Sequence, residues 1–265
     1  MLCLLLTEHY ISCYNNTRTA KYRENNAKMK GNAKKMTIEG LQKLTLLDYP
    51  GRTACTVFLA GCNFRCPFCH NFELVVRPAA PLMTDEELLE YLKKRKGLLD
   101  GVAITGGEPL LRKELPELLR KIKALGYAVK LDTNGSFPAR LKALVGEGLV
   151  DYVAMDVKNA PERYGETVGF LKLELSAIRE SIDFLLTDAV DYEFRTTVIE
   201  QYHSEKEIRA IAEWIRGAKR WYLQRFKSSE RVPNGELTPP SYQKMQDYLQ
   251  IARETIPQTE LRGVG

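Results

Sequence analysis

Gly101-Val102-Ala103-Ile104-Thr105-Gly106-Gly107-Glu108 is a short apolar run that stops at two glycines and an acid. Such a run, bounded by turn residues, reads as a buried strand delivering a polar loop at its carboxyl end. The pattern repeats outward in both directions. Thr53–Ala60 runs into a cysteine-rich loop, Tyr127–Asp132 into Asp132-Thr133-Asn134-Gly135, and Asp151–Asp156 into Asp156-Val157-Lys158. Tyr192–Ile199 and Arg220–Arg225 complete a set of six strands. Helical patterns lie between them. Thr84 with Glu87 and Ser204 with Glu207 match capping boxes, and Pro116 suits the start of a helix over Arg112–Leu125. Further helices are expected over Pro138–Glu147, Glu174–Thr187 and Pro240–Glu254. Alternation of this kind implies a parallel sheet with right-handed crossovers. An open doubly wound sheet and an incomplete (β/α)6 barrel both fit, and both put chemistry at the carboxyl ends of the strands.

The chain of 265 residues carries a net charge of +5, which would suit a nucleic-acid binder if it lay on the body. It does not. Residues 1–35 hold seven Lys or Arg against Glu8 and Glu24, and the remainder is balanced. No apolar run reaches the length of a membrane span, and Leu2–Leu6 lacks the flanks of a secretory signal. A cytoplasmic protein that binds neither nucleic acid nor membrane is therefore expected. Residues 1–36 read as a disordered basic tail, with 37–265 as one catalytic domain.

Six cysteines in a chain of this length, three of them within eight residues, point to a metal site and not to disulfides. Cys62, Cys66 and Cys69 can wrap one corner of an iron–sulfur cubane, whereas Cys3, Cys13 and Cys55 are dispersed. Three cysteines leave one iron open to an outside ligand. The bland alternative is a non-catalytic Fe–S or Zn module, the zinc held by the same cysteines and the adjacent His70. With His9, His70 and His203 the only histidines, a multi-histidine hydrolase is excluded, and Trp214 and Trp221 read as packing residues. His203 is expected on an exposed loop. Arg195 interrupts a strand, where an unpaired buried charge is costly, so it is expected at the barrel mouth as a carboxylate clamp or a contact to a partner's backbone. Gln224 and Phe226 are weaker candidates at the last strand end.

Cys62-x3-Cys66-x-Phe68-Cys69, followed by Gly106-Gly107-Glu108-Pro109, resembles the signature of the radical S-adenosylmethionine (SAM) superfamily. That resemblance implies an incomplete (β/α)6 TIM-like barrel, a [4Fe-4S] cluster on Cys62, Cys66 and Cys69, and SAM on the open iron. SAM contacts are expected at Phe68, His70, Gly106, Gly107, Glu108 and Arg195, and the resemblance of Asp132-Thr133-Asn134-Gly135 and Asp156-Val157-Lys158 to segments of the glycyl-radical-enzyme activase group implies further ones at Asp132, Asp156 and Lys158, with a monovalent cation near Asp132 and Asp156. Gly40 to Gly51, Lys130 to Gly135 and Tyr152 to Lys158 are further similar to the anaerobic ribonucleoside-triphosphate reductase activating proteins, within the glycyl-radical-enzyme activase group. The likeness starts near Thr37, so residues 1–35 look like the product of a start codon placed too early. It implies hydrogen abstraction by a 5′-deoxyadenosyl radical from a glycine of a partner, anaerobic ribonucleotide reductase, with flavodoxin or ferredoxin as electron donor. The alternative enzyme is one acting on a small molecule, as 7-carboxy-7-deazaguanine synthase does.

Overall fold

In a computed structural model that describes residues 36–264 apart from Arg77 and Ala79, the chain enters through β1 (Thr37–Ile38) and β2 (Gly40–Thr45) and returns as β3 (Ala54–Leu59). The expected tail, Met36 aside, lies outside the described residues. The cysteine loop and α1 (Phe72–Val76) lead to β4 (Met83–Thr84), which pairs with β1, and to α2 (Asp85–Lys93). There follow β5 (Gly101–Gly106), α3 (Leu115–Ala124), β6 (Ala128–Thr133), α4 (Pro138–Gly146) and β7 (Tyr152–Asp156). The chain continues with α5 (Pro161–Thr167), α6 (Ser176–Leu186), β8 (Asp191–Val198), α7 (Glu205–Trp214), β9 (Trp221–Arg225), α8 (Tyr242–Thr255) and β10 (Thr259–Arg262).

One sheet runs β10-β9-β8-β7-β6-β5-β3-β2, parallel throughout except for β2, which is antiparallel to β3. Its edges, β2 and β10, pair with separate neighbours and not with each other, so the structure is the open, incomplete TIM-like barrel that was expected. All six expected strands form within a residue or two of their limits. Both capping boxes form, with Glu87 and Glu207 each returning a bond to the cap backbone.

Strand register sorts the side chains. Cys55, Val57, Val102, Ile104, Val129, Leu131, Val153, Met155, Tyr192 and Phe194 share one face and join the helices in a continuous core. Alternate positions carry Lys130 and Asp132 on β6, Asp156 on β7, Glu193 and Arg195 on β8, and Arg262 on β10. Because side chains alternate along a strand, these charges must all point to the opposite, inner face. An apolar layer beneath the helices and a charged interior follow from that one periodicity.

Candidate active site

The cysteine loop is clamped from several sides before any cofactor is considered. Its exit from β3 is zipped to the glycine loop after β5: Gly107 N–H donates to Leu59 O (2.8 Å) and Glu108 N–H to Gly61 O (2.8 Å). That contact leaves no room for side chains. A Cβ on Gly107 would meet Gly61 O at 2.0 Å, and one on Gly106, at φ +119°, would meet Leu59 O at 2.3 Å. Asn71, beyond the last cysteine, donates to Gly106 O at 2.8 Å. Arg65 N–H donates to Val168 O (2.9 Å), while its guanidinium donates to the Cys62 and Phe64 carbonyls (2.7 and 2.8 Å).

Cys62, Cys66 and Cys69 are near enough for their charges to interact, and Cys66 is buried. Burial pushes the Cys66 thiol up to about 12 and raises Cys62 and Cys69 as well. The Lys158 ammonium opposes that rise at all three. Phe64 N–H donates to Cys62 Sγ at 3.4 Å. Three thiols on one loop, a backbone donor to sulfur and a shared cation suit an iron–sulfur cluster, whose thiolates are held by such donors. The zinc alternative fits less well. His70 Nε2 is already engaged with Lys227 O at 2.8 Å. Cys55 is fully buried on the helix-facing side of β3, and burial raises its thiol to about 12.

Across the mouth stands a half-buried charge network. Arg195 Nε donates to Asp156 Oδ1 (2.9 Å) and its Nη1 to Asp132 Oδ2 (3.2 Å). Lys158 takes Asp156 Oδ2 at 2.8 Å, and Lys130, 2% exposed, bonds Asp132 Oδ1. Burial alone would raise both carboxyls; Arg195 with Lys158 holds Asp156 down to about 2, and Arg195 with Lys130 holds Asp132 below its ordinary range. Three protein cations thus face two carboxylates, a net charge of +1, and every carboxylate oxygen already accepts a bond. The monovalent cation expected here does not fit this arrangement: Arg195 occupies the place between the two acids.

Glu108 is buried. Its Oε1 accepts from Leu110 N–H (3.0 Å) and the Thr133 hydroxyl (2.9 Å), and its Oε2 from Asn134 N–H (2.7 Å). Desolvation raises its carboxyl to about 7 despite these donors. Phe68 is also buried, its ring 6.3 Å from that of Tyr202, and the His70 ring lies 5.6 Å from that of Phe226. Trp221 is fully buried and Trp214 packs edge-on to Tyr164, as expected of packing residues. His203 corrects the sequence reading: it is 2% exposed. Its Nδ1 accepts from Ile199 N–H (3.2 Å) and its Nε2 faces Lys158 O (3.1 Å), which fixes the backbone that presents Lys158. Lys130 and Asn134 are the site residues whose individual roles the sequence did not single out. The signal for Lys130 was present: it precedes Asp132 by two in an otherwise apolar strand and so must share its face.

A parallel, incomplete barrel whose first parallel strand, β3, ends in a three-cysteine loop, with a glycine-rich loop and half-buried charges at the next strand ends, has the arrangement of an iron–sulfur enzyme. Residues 56–215 match the profile of the Radical SAM superfamily. The chain belongs to that superfamily, whose members use a [4Fe-4S] cluster and SAM. A Methanocaldococcus jannaschii protein provisionally named a glycyl-radical enzyme activating enzyme is 30% identical over 242 residues, 87% of this chain and 97% of its own. A 7-carboxy-7-deazaguanine synthase of Koribacter versatilis is 32% identical over 165 residues, 62% of this chain and 70% of its own. Among solved structures, Streptococcus suis SuiB superposes with a TM-score of 0.63 at 14% identity, covering 78% of this chain and 48% of SuiB. No helix among the described residues is long and apolar enough to cross a membrane.

Proposed function

We propose that this protein is a glycyl-radical-enzyme activase, with anaerobic ribonucleoside-triphosphate reductase as its partner. The observation that carries the activase reading is the likeness to a relative named a glycyl-radical enzyme activating enzyme, spanning 97% of the relative; the choice of partner rests on the resemblance of residues 40–51, 130–135 and 152–158. In this reading Cys62, Cys66 and Cys69 hold a [4Fe-4S] cluster and residues 37–265 act as one catalytic domain. When bound and reduced, the cluster with SAM supplies a 5′-deoxyadenosyl radical that takes a hydrogen from the partner's glycine.

The chain's own residues do the rest. Lys158, Arg195 and Lys130, outnumbering Asp132 and Asp156, give the mouth the surplus positive charge that a SAM carboxylate needs. Glu108 Oε2 takes one protein donor where Oε1 takes two, so it retains capacity for the SAM ammonium. Gly106 and Gly107 hold that turn against the cysteine loop. Flavodoxin or ferredoxin in a reducing cytoplasm would supply the electron.

Anaerobic incubation with SAM, reductant and the candidate reductase tests this. A glycyl doublet in the electron paramagnetic resonance spectrum is expected. SAM consumed with no doublet would favour the second reading, a small-molecule enzyme, which the likeness to 7-carboxy-7-deazaguanine synthase over 62% of the chain supports.

A further inference from the structure

We infer that Asn134 is a positioning residue for the cluster, donating its side-chain amide to the Cys62 sulfur and thereby raising the cluster's reduction potential. The inference rests on the ligand assignment proposed above and adds a role for a residue outside the cysteine loop.

Its first support is geometry. Asn134 Nδ2 lies 3.8 Å from Cys62 Sγ and 3.0 Å from Asn63 Oδ1. An asparagine amide can be turned either way round, so its orientation needs a reason. Here the network supplies one. Asn134 Oδ1 accepts from Ser136 N–H (3.0 Å) and from the Ser136 hydroxyl (2.5 Å), and a backbone N–H can only donate. The oxygen is therefore committed to Ser136, and the NH2 group must face Cys62.

Its second support is rigidity. The Asn134 backbone N–H is held by Glu108 Oε2 (2.7 Å), Gly135 N–H donates to Thr133 Oγ1 (3.1 Å), and Ser181 donates to Gly135 O (2.7 Å). Gly135, at φ +76°, rests on Met155, whose Cε stands 2.0 Å from where a Cβ would be. Asn134 itself is 6% exposed. A donor held this firmly costs little reorganisation when the thiol becomes a thiolate. Hydrogen bonds to cluster sulfurs stabilise the more negative, reduced state and so raise the potential. Phe64 N–H already reaches the same sulfur, which makes Cys62 the ligand with both a backbone and a side-chain donor.

Redox titration of the reconstituted enzyme without SAM, followed by electron paramagnetic resonance, reads this directly. Asn134→Ala is expected to shift the midpoint potential negative. Asn134→Asp keeps the acceptor for Ser136 and replaces the donor with an anion, so its shift should be larger. Asn63→Ala removes the competing acceptor and should leave the potential in place or move it positive. A negative shift in Asn63→Ala equal to that of Asn134→Ala would mark loop displacement and overturn the inference. So would an unmoved potential in either Asn134 variant at full iron content. Folded Asn134 variants that both fail to load iron would assign the residue to cluster assembly, again overturning a tuning role. Iron and sulfide content measures the ligand assignment separately: a wild-type protein that binds no cluster removes the assignment itself.

Discussion

Cys55 and Cys62 show how little of a residue's role lies in its type. Both are cysteines seven positions apart, yet β3 turns Cys55 under the helices while the loop after it presents Cys62 at the mouth. Cys62→Ala, Cys66→Ala and Cys69→Ala are each expected to abolish iron binding and SAM cleavage. Cys55→Ala should retain both, at a packing cost of about 1 kcal/mol. Iron analysis and detection of 5′-deoxyadenosine decide it, and iron lost from the Cys55 variant would show the ligands wrongly chosen. His203 carries a second prediction. Burial holds its imidazole down to about 4, from an ordinary 6.5. Above pH 6.5 the ring is neutral in folded and unfolded chains alike, and the full stability is present. As pH falls from 6.5 towards 4 only the unfolded chain takes the proton, so stability declines across that window, by up to about 3 kcal/mol. Denaturant midpoints taken from pH 7 to pH 4.5 should show the decline, and His203→Gln should flatten it. An equal slope in the variant would place the acid sensitivity elsewhere.

At the scale of elements, the sequence announced what has strong periodicity and concealed what depends on distant partners. The six inner strands were legible because each is short, rich in β-branched and aromatic residues on the helix-facing side, and stops at a polar or glycine-rich loop. The edges were not. β2 reads Gly40-Leu41-Gln42-Lys43-Leu44-Thr45, with leucines three apart, a spacing that suits neither strand face, and Leu44 ends up 57% exposed. β10 is four residues long and exists because β9 offers it a parallel edge. In the site, the cysteines and glycines could be read because their spacing is local. The pairing of Arg195 with Asp132 and Asp156 spans three strands, and no local pattern carries it. His203 was misjudged for the same reason: the carbonyl that engages its buried ring belongs to Lys158, 45 residues earlier. The zipped loops yield a prediction at this scale. Gly107→Ala must part the backbones of two strand ends and should cost about 3 kcal/mol or more, with reduced iron loading. Gly148→Ala, after α4, meets nothing within 4 Å and carries only the penalty of its φ of +67°, about 1 kcal/mol. Thermal melts of the two variants compare them; equal losses would mean that the close approach to Gly61 is not what requires glycine.

Over the whole molecule, the charged interior raises the question of what seals an open barrel. The sheet has no closing pair between β2 and β10, yet Glu193, near the start of β8, is fully buried. It survives there because β10 brings Arg262 across β9: Nη1 reaches Glu193 Oε1 at 2.7 Å and Nη2 reaches Oε2 at 2.9 Å. Tyr152 donates to Oε2 at 2.8 Å, and the Arg262 guanidinium lies 3.3 Å from the centre of the Tyr222 ring. The last strand therefore matters less for the sheet bonds it adds than for the one cation it delivers. Removing one partner of a buried pair strands the other's charge, whereas replacing both is far milder. Arg262→Ala is accordingly expected to lose about 3 kcal/mol, and Arg262→Met with Glu193→Gln to recover most of it. The pH dependence gives the sign. Burial raises the Glu193 carboxyl and Arg262 is the first of the partners that hold it low; Arg195 and Lys130 remain, but they are already matched to Asp132 and Asp156. Without Arg262 the folded-state value rises, so the loss is greatest at neutral pH and shrinks as Glu193 takes up a proton on acidification. Denaturant melts of Arg262→Ala at pH 7.5 and pH 5.5 should show a smaller deficit from wild type at the lower value; a deficit that is unchanged between them would mean β10 stabilises the barrel through its strand pairing alone.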